Sequence, residues 1–468
     1  MQRIYLALLV IPSFVNSAFA GDAKKPNIIY ILADDLGHAE LGCYGQKKIK
    51  TPNLDKMAAQ GLRFTQHYAG NAVCAPSRCV LMTGLHSGHA QIRNNSEMKP
   101  DGQQPIAKDT TTIARLLQMA GYVTGMIGKW GLGMHDSTGD PQKQGFDHFF
   151  GYYCQRHAHN HYPTFLWRNA EKVPLDGNPG KATGKQYSHD LFEKEALDFI
   201  KKNKDKSFFL YLPFIISHVA LQVPDDSLAE YKGLWDDPPY KGGKGYQLHD
   251  HPRAAYAAMV TRLDRTVGRI LDLLRELGID DDTIVIFSSD NGPTHEGVGG
   301  SDSVFFLSAG RLRGFKGSLF EGGVRVPMLV RWPGRTMPGR TTDLISGFQD
   351  VLPTLCDVAG TKAPKDIDGI SMLPTILGKG DQKKHDFLYW EFPGYGGQQA
   401  VRMGDWKAVR QNMHKGNTQI QLFNLASDES EKTDVANQNP AIVERALRIM
   451  REQHTPSKLF PFKAIDGK

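Results

Sequence analysis

Cysteine is scarce. The 468 residues hold five (Cys43, Cys74, Cys79, Cys154 and Cys356), with no CxxC pair and no His/Cys spacing suited to zinc. That excludes a disulfide framework and a structural zinc as the source of stability. Long apolar runs are also missing: after the first twenty residues nothing approaches the roughly 20 residues that a membrane helix requires, so no membrane partner is expected. There is no block of like charge either. Lys and Arg number 56 against 50 Asp and Glu, a net +6 spread along the chain. This balance suits an anionic small substrate or a polyanion and gives no nucleic-acid signature. With no internal repeats or low-complexity tracts, a packed core must hold the fold. The length allows one large domain and a smaller second one.

The start of the chain carries Arg3, the apolar run "IYLALLVIPSFV" and a small-residue ending at Ala18-Phe19-Ala20. This pattern is a cleaved secretory signal peptide over residues 1–20, and it predicts a secreted or periplasmic protein beginning near Gly21. Strand and helix patterns then alternate. "NIIYILADD" reads as a buried strand, Asn27 to Ala33, ending in two aspartates. "TPNLDKMAAQG" reads as a helix with Thr51 as N-cap, Pro52 at its first position and Gly61 as its stop. "TTIARLLQMAG", "DLFEKEALDFIKKN", "AAYAAMVTRLDRTVGRILDLLRELG" and "QDVLPTLCDVAG" read as helices; "YVTGMIG", "SFFLYLPF", "TIVIFSSD" and "PMLVRWP" read as strands. Strands apolar on both faces and alternating with helices predict an α/β fold, a large mainly parallel or mixed sheet sandwiched by helices. The catalytic domain is expected over 21–375. Beyond it, over 376–468, "HDFLYWEF", "QAVRMGDWKAVR", "IQLFNL" and "PAIVERALRIM" predict a smaller antiparallel sheet plus helix. The Gly/Pro-rich "GLWDDPPYKGGKGYQLHDHP" reads as a long surface loop.

In parallel sheets, functional groups gather at the carboxyl ends of strands. Asp34 and Asp35 end one apolar strand, and Asp290 and Asn291 end another. Asp, Asn and Gly also initiate turns on their own. Their joint occurrence favours a site for a hard cation, Ca²⁺ with Mg²⁺ as the alternative, because only oxygen donors are offered. Cys74 precedes Pro76 and the apolar Val80-Leu81, which places it at a helix N-terminus. There the dipole favours an anion and the thiol pKa is expected to fall, with Arg78 one turn on facing the same anion.

"CAPSRCVLMTG" resembles the C-x-P-S-R-x-x-x-x-T-G signature of type I sulfatases, members of the alkaline-phosphatase-like superfamily. The resemblance extends through "NIIYILADDLG", "GYVTGMIGKWGLG", "SSDNGP", "GFKGSLFEGGVRVP" and "LFNLASDESEKTDV". It implies that a formylglycine-generating enzyme oxidises Cys74 to formylglycine. The hydrated aldehyde then offers one hydroxyl to attack sulfur and a second whose deprotonation expels sulfate. It implies further that Asp34, Asp35, Asp290 and Asn291, with modified Cys74, bind Ca²⁺. Arg78 would hold the formylglycine hydroxyl, Lys129 and Lys316 the sulfate oxygens, and His218 would protonate the leaving oxygen. Many members read Gly-Lys-Trp-His-Leu-Gly, and that histidine assists the second hydroxyl; here Gly131 takes its place. His135, His157, His159 and His161 are candidates to replace it. Likeness to a subgroup with a "Q-A-H-N-Y-Y-P"-like segment selects His159. The implied activity is an exported sulfatase acting on sulfated saccharides, with galactose or N-acetylgalactosamine sulfates favoured. A phosphonate or phosphate ester hydrolase and an inactive sugar-binding pseudo-sulfatase are the alternatives.

Overall fold

The computed structural model describes residues 25–243 and 245–467. The expected signal peptide, residues 1–20, lies outside the described residues. In chain order the strands of the main sheet begin with β1 (Asn27–Ala33) and β2 (Leu62–Tyr68). A short hairpin, β3 (Glu97–Met98) and β4 (Gly102–Gln103), stands apart from the sheet. The sheet continues with β5 (Val123–Lys129), β6 (His148–Tyr152), β7 (Phe165–Arg168), β8 (Glu171–Pro174) and β9 (Phe208–Pro213). It is completed by β10 (Thr283–Ser289), β11 (Arg325–Arg331), β12 (Arg340–Thr342) and β13 (Ser346–Gly347).

The spatial order is β12-β2-β11-β10-β1-β9-β5-β6-β7-β8, with β13 also pairing β2. Its centre, β10-β1-β9-β5-β6, is wholly parallel. β11 runs antiparallel to β10, and β7 antiparallel to β6, so the complete sheet is mixed.

The strand sequences show why helices cover both faces. Along β1, Ile29, Ile31 and Ala33 enter one core while Ile28, Tyr30 and Leu32 enter the other, the alternation that a pleated strand imposes. On the first face lie helices Pro52–Ala59, Ser188–Asn203 and Pro252–Glu276. On the second lie helices Cys74–Thr83, Ile113–Met119 and Val351–Val358. No helix among the described residues is long and apolar enough to cross a membrane.

The capping of helix Pro52–Ala59 differs from the expectation. Thr51 makes no side-chain cap; its hydroxyl accepts from Gly42 N and reaches Asp55 instead. The free N–H groups of Asn53 and Leu54 are taken by Asp264 of the long helix, at 3.1 and 2.7 Å. The helix ends at Ala59 with Gln60 as its C-cap, and Gly61 follows directly.

A second sheet, β14 (Leu388–Phe392), β15 (Gln398–Met403), β16 (Trp406–Arg410) and β17 (Gln421–Asn424), is antiparallel throughout. One of its faces packs Leu388, Trp390, Phe392 and Val409 against Tyr68, Val73, Leu319 and Phe320 of the main body. The other is covered by helix Pro440–Glu452. A buried charge cluster lies beside this junction. Lys407 Nζ is 2.8 Å from Glu321 Oε1 and 3.4 Å from Glu431 Oε1, with all three side chains out of solvent. Tyr68 donates its hydroxyl to Glu321, and the Glu321 N–H is donated to Glu431.

Candidate active site

Four adjacent strands of the parallel centre end on the same edge of the sheet, and each delivers functional groups there. Asp34 and Asp35 follow β1, and Asp290 and Asn291 follow β10. Lys129 closes β5, and His218 follows β9 across the turn Phe214–Ser217. Backbone bonds fix the strand ends to one another: Asp290 N donates to Ala33 O at 3.1 Å, and Asp34 N to Ile216 O at 2.8 Å. Cys74 enters from the opposite side as the first residue of its helix.

The carboxylates are buried and cross-linked. Asp290 Oδ1 accepts from Asp35 N at 3.1 Å, and Asp35 Oδ1 accepts from Asn291 Nδ2 at 2.7 Å. Asp35 Oδ2 accepts from Thr294 and from Lys316 Nζ, each at 2.7 Å. Cys74, only 1% exposed, has its Sγ 3.4 Å from Asp34 Oδ1. Lys129 Nζ and Lys316 Nζ each lie 3.6 Å from that sulfur. Lys129 also pairs directly with Asp34.

The thiol does not behave as its helix position suggests. Burial and the neighbouring Asp34 push the Cys74 thiol well above its ordinary range, and the two lysines do not overcome them. Desolvation thus outweighs the helix dipole here. Arg78 likewise turns away from a free anion. Its Nε and Nη2 donate to Asp290 Oδ2 at 3.1 and 2.9 Å, and its Nη1 to the Lys129 carbonyl. Against the opposing effect of burial, Lys129, His218 and Arg78 hold Asp34 well below the usual carboxylate range. Burial and Asp34 instead push Asp290 up to about 6, against the pull of Arg78 and Lys129. Asn291 Oδ1 is buried without a hydrogen-bond partner among the described residues. The buried carboxylates and the orphaned amide oxygen fit a hard cation bound through oxygen.

The histidines separate clearly. His218 Nδ1 meets the Val219 carbonyl, leaving Nε2 3.6 Å from Asp35 Oδ2. Burial and Lys316 push His218 down to about 4. His159 stacks on it with ring centroids 4.8 Å apart, and burial and His218 bring it down to about 2. His161 Nε2 donates to the His218 carbonyl at 3.1 Å. His157 packs on Phe165 beside Asp101, and His135 stacks on Trp167 at 40% exposure. Of the four candidates, only His159 places its ring against His218.

Two aromatic groups at the mouth were not anticipated. Tyr246, from the Gly/Pro-rich loop, packs its ring 5.1 Å from that of His159. Tyr395, 61% exposed, stacks on His295 at 5.9 Å. Both belong to irregular segments, where no periodicity marks a residue as inward-facing.

Comparison with known proteins gives the family of the chain. The Sulfatase family pattern matches residues 26–361, and the pattern described as N-sulphoglucosamine sulphohydrolase, C-terminal, matches residues 315–453. The chain is 31% identical to N-acetylgalactosamine-6-O-sulfatase of Bacteroides thetaiotaomicron, over 93% of this chain and 94% of that one. It is 32% identical to N-acetylgalactosamine-6-sulfatase of Canis lupus familiaris, over 86% and 74%. The crystal structure of Ps i-CgsB in complex with k-i-k-neocarrahexaose superposes with TM-score 0.77 at 31% identity, covering 92% of both chains. The phosphonate monoester hydrolase of Agrobacterium radiobacter shares the fold alone, with TM-score 0.66 at 22% identity over 92% of this chain and 96% of that one. On these matches, spanning both sheets, the chain belongs to the sulfatase family within the alkaline-phosphatase-like superfamily and is a sulfuric ester hydrolase.

Proposed function

We propose that this chain is an exported, Ca²⁺-dependent sulfatase that removes sulfate from saccharides, using a formylglycine made from Cys74. The observation that carries the reading is the pair of ammonium groups, Lys129 and Lys316, each 3.6 Å from Cys74 Sγ and each paired with a buried carboxylate, Asp34 or Asp35. A neutral thiol nucleophile needs no such clamp; a sulfate group arriving at residue 74 needs positive charge on its oxygens.

In this reading Asp34, Asp35, Asp290 and Asn291, with the modified residue 74, would hold the cation, which would offset negative charge on the bound sulfate. The aldehyde hydrate at position 74 would supply both the attacking hydroxyl and a second hydroxyl whose deprotonation would return the aldehyde and expel sulfate. The remaining work falls to ordinary side chains. Lys129 and Lys316 bind sulfate oxygens and offset the charge that grows on them. Arg78 keeps Asp290 and Asp34 in register with residue 74. His218 passes a proton from Nε2 to the leaving oxygen; a sulfate bound between the lysines offsets the Lys316 charge that opposes protonation of this ring. His159, uncharged and stacked on His218, takes the proton of the second hydroxyl.

Residues 1–20 act as the export signal, 21–375 as the catalytic domain and 376–468 as the smaller one. The product is secreted or periplasmic, and a formylglycine-generating enzyme is its partner during maturation. Galactose or N-acetylgalactosamine sulfates are the favoured substrates. The names of the relatives and the neocarrahexaose complex support that class.

The test has two steps. After co-production with a formylglycine-generating enzyme, the tryptic peptide Phe64–Arg78 is weighed, and the mass of an aldehyde or its hydrate is expected. The matured protein is then given defined sulfated mono- and disaccharides and matched phosphate esters. Free sulfate from a galactose or N-acetylgalactosamine sulfate is expected; phosphate release outrunning sulfate would overturn the reading.

A further inference from the structure

Gly131 has φ +87°, and a Cβ placed on it would sit 2.1 Å from Gln155 Nε2 and 4.0 Å from Ala75 Cβ. The space of the side chain that Gly131 lacks is therefore already taken, by the carboxamide of Gln155. The sheet brings the two together. Lys129 and Tyr152 are register partners in β5 and β6, Trp130 N donates to Tyr152 O at 2.9 Å, and Gly131 N to Tyr153 O at 3.2 Å. The chain after β6 thus runs beside the chain after β5, and Gln155 comes to rest on Gly131. The neighbouring Ala75 is the residue after Cys74, and Lys129, two residues before Gly131, has its ammonium 3.6 Å from the Cys74 sulfur.

Gln155 is only 5% exposed, yet both its Nε2 and its Oε1 lack a hydrogen-bond partner among the described residues. A primary amide has two donor hydrogens and an acceptor oxygen, and burying it unpaired is unfavourable. Buried polar atoms left open in this way are the ones expected to meet a ligand. The ligand class follows from the surroundings: the two lysines at the sulfur call for an oxyanion, and an amide N–H is a suitable third donor.

Resting on the sulfatase reading above, we propose that Gln155 is a substrate-contacting residue. Its carboxamide, in the space left open at Gly131, donates to an oxygen of the sulfate group held beside residue 74. A carboxamide does not take up a proton at neutral pH, so Gln155 orients the group without serving as the base.

Full-length protein, matured at residue 74, is compared with Gln155→Leu and Gln155→Glu. Three quantities are measured: affinity for inorganic sulfate by calorimetry, kcat/KM for a sulfate ester, and Tm. Leucine keeps the bulk and removes every hydrogen-bonding atom. It is expected to weaken sulfate binding and lower kcat/KM by about tenfold or more with Tm unchanged, since one lost charge-assisted hydrogen bond has that size. Glutamate, adding negative charge beside the anion, is expected to lower both further. Sulfate affinity and kcat/KM within about twofold of the parent in Gln155→Leu, at equal Tm, would overturn the assignment. If leucine lowers Tm, Gln155→Met serves the same comparison. A matured parent that binds sulfate but frees none from any ester would sink the sulfatase reading instead, and the calorimetric comparison would still decide the role of Gln155.

Discussion

Replacing Lys316 with methionine removes one charge while keeping most of the side chain's length, so its effect on catalysis follows from the geometry. Nζ stands 3.6 Å from the Cys74 sulfur and 2.7 Å from Asp35 Oδ2. A unit negative charge at the position of that sulfur would attract the ammonium by roughly 4–5 kcal/mol at an effective dielectric of about 20. Asp35 shares the same cation and offsets part of this. Loss of about 3–4 kcal/mol of transition-state stabilisation is left, or roughly 10²- to 10³-fold in kcat. The assay is the initial rate of sulfate release at saturating substrate, with residue 74 maturation checked by peptide mass and folding by Tm. A kcat within about fivefold of the parent, with maturation and Tm intact, would refute the placement of Lys316 at the reacting group.

Three further outcomes follow from the same structure. Dialysis against a chelator should lower Tm, and added Ca²⁺ should restore it in a concentration-dependent way, by about 2.7 kcal/mol at a hundred times the dissociation constant; a Tm indifferent to both would rule out the oxygen-lined cation site. Lys407→Met should destabilise the fold by roughly 3–5 kcal/mol in urea unfolding, because buried Glu431 loses its cation and Glu321 keeps only the longer contacts to Arg325 and Arg402, at 3.5 and 3.8 Å. A loss under about 1 kcal/mol would mean that the cluster is not closed to water. Asp264→Ala should cost about 2–3 kcal/mol, since it strips the N–H groups of Asn53 and Leu54 of their acceptor, while Asp264→Asn should recover part of that. Equal stability of the alanine and asparagine variants would argue against the cap.

Much of the site was legible because it is written at strand ends. An apolar run that stops at Asp34-Asp35, and another that stops at Asp290-Asn291, need only be neighbours in one parallel sheet to converge, and β1 and β10 pair along their whole length. Lys129 and His218 were legible only through the family resemblance, and the structure puts them at the end of β5 and beyond the end of β9. The small sheet was readable from short alternating runs. What escaped the sequence depends on distance through space. β2 shows a weak alternation, with half-buried Arg63, Thr65 and Gln66 on a strand near the edge of the sheet. Tyr246 reaches His159 from a loop with no period. Gln155 matters only because another residue has no side chain, a relation invisible until β5 and β6 lie side by side. The thiol pKa went the other way because a helix N-terminus is a local feature, whereas burial beside Asp34 is a property of the finished fold.

The junction between the two sheets adds a matter of timing. Lys316 sits on a loop whose next residues are held from the small sheet: Gln398 Nε2 donates to the Gly317 carbonyl at 2.7 Å, and Gln398 Oε1 accepts from Leu319 N at 3.1 Å. A ribosome releases Lys316 well before Gln398 and Lys407, so for a stretch of synthesis the nascent chain holds every side chain proposed for the site without the brace that positions one of them. Activity should therefore switch on late in the life of the chain, in step with the closing of a sheet that contains none of the reacting residues.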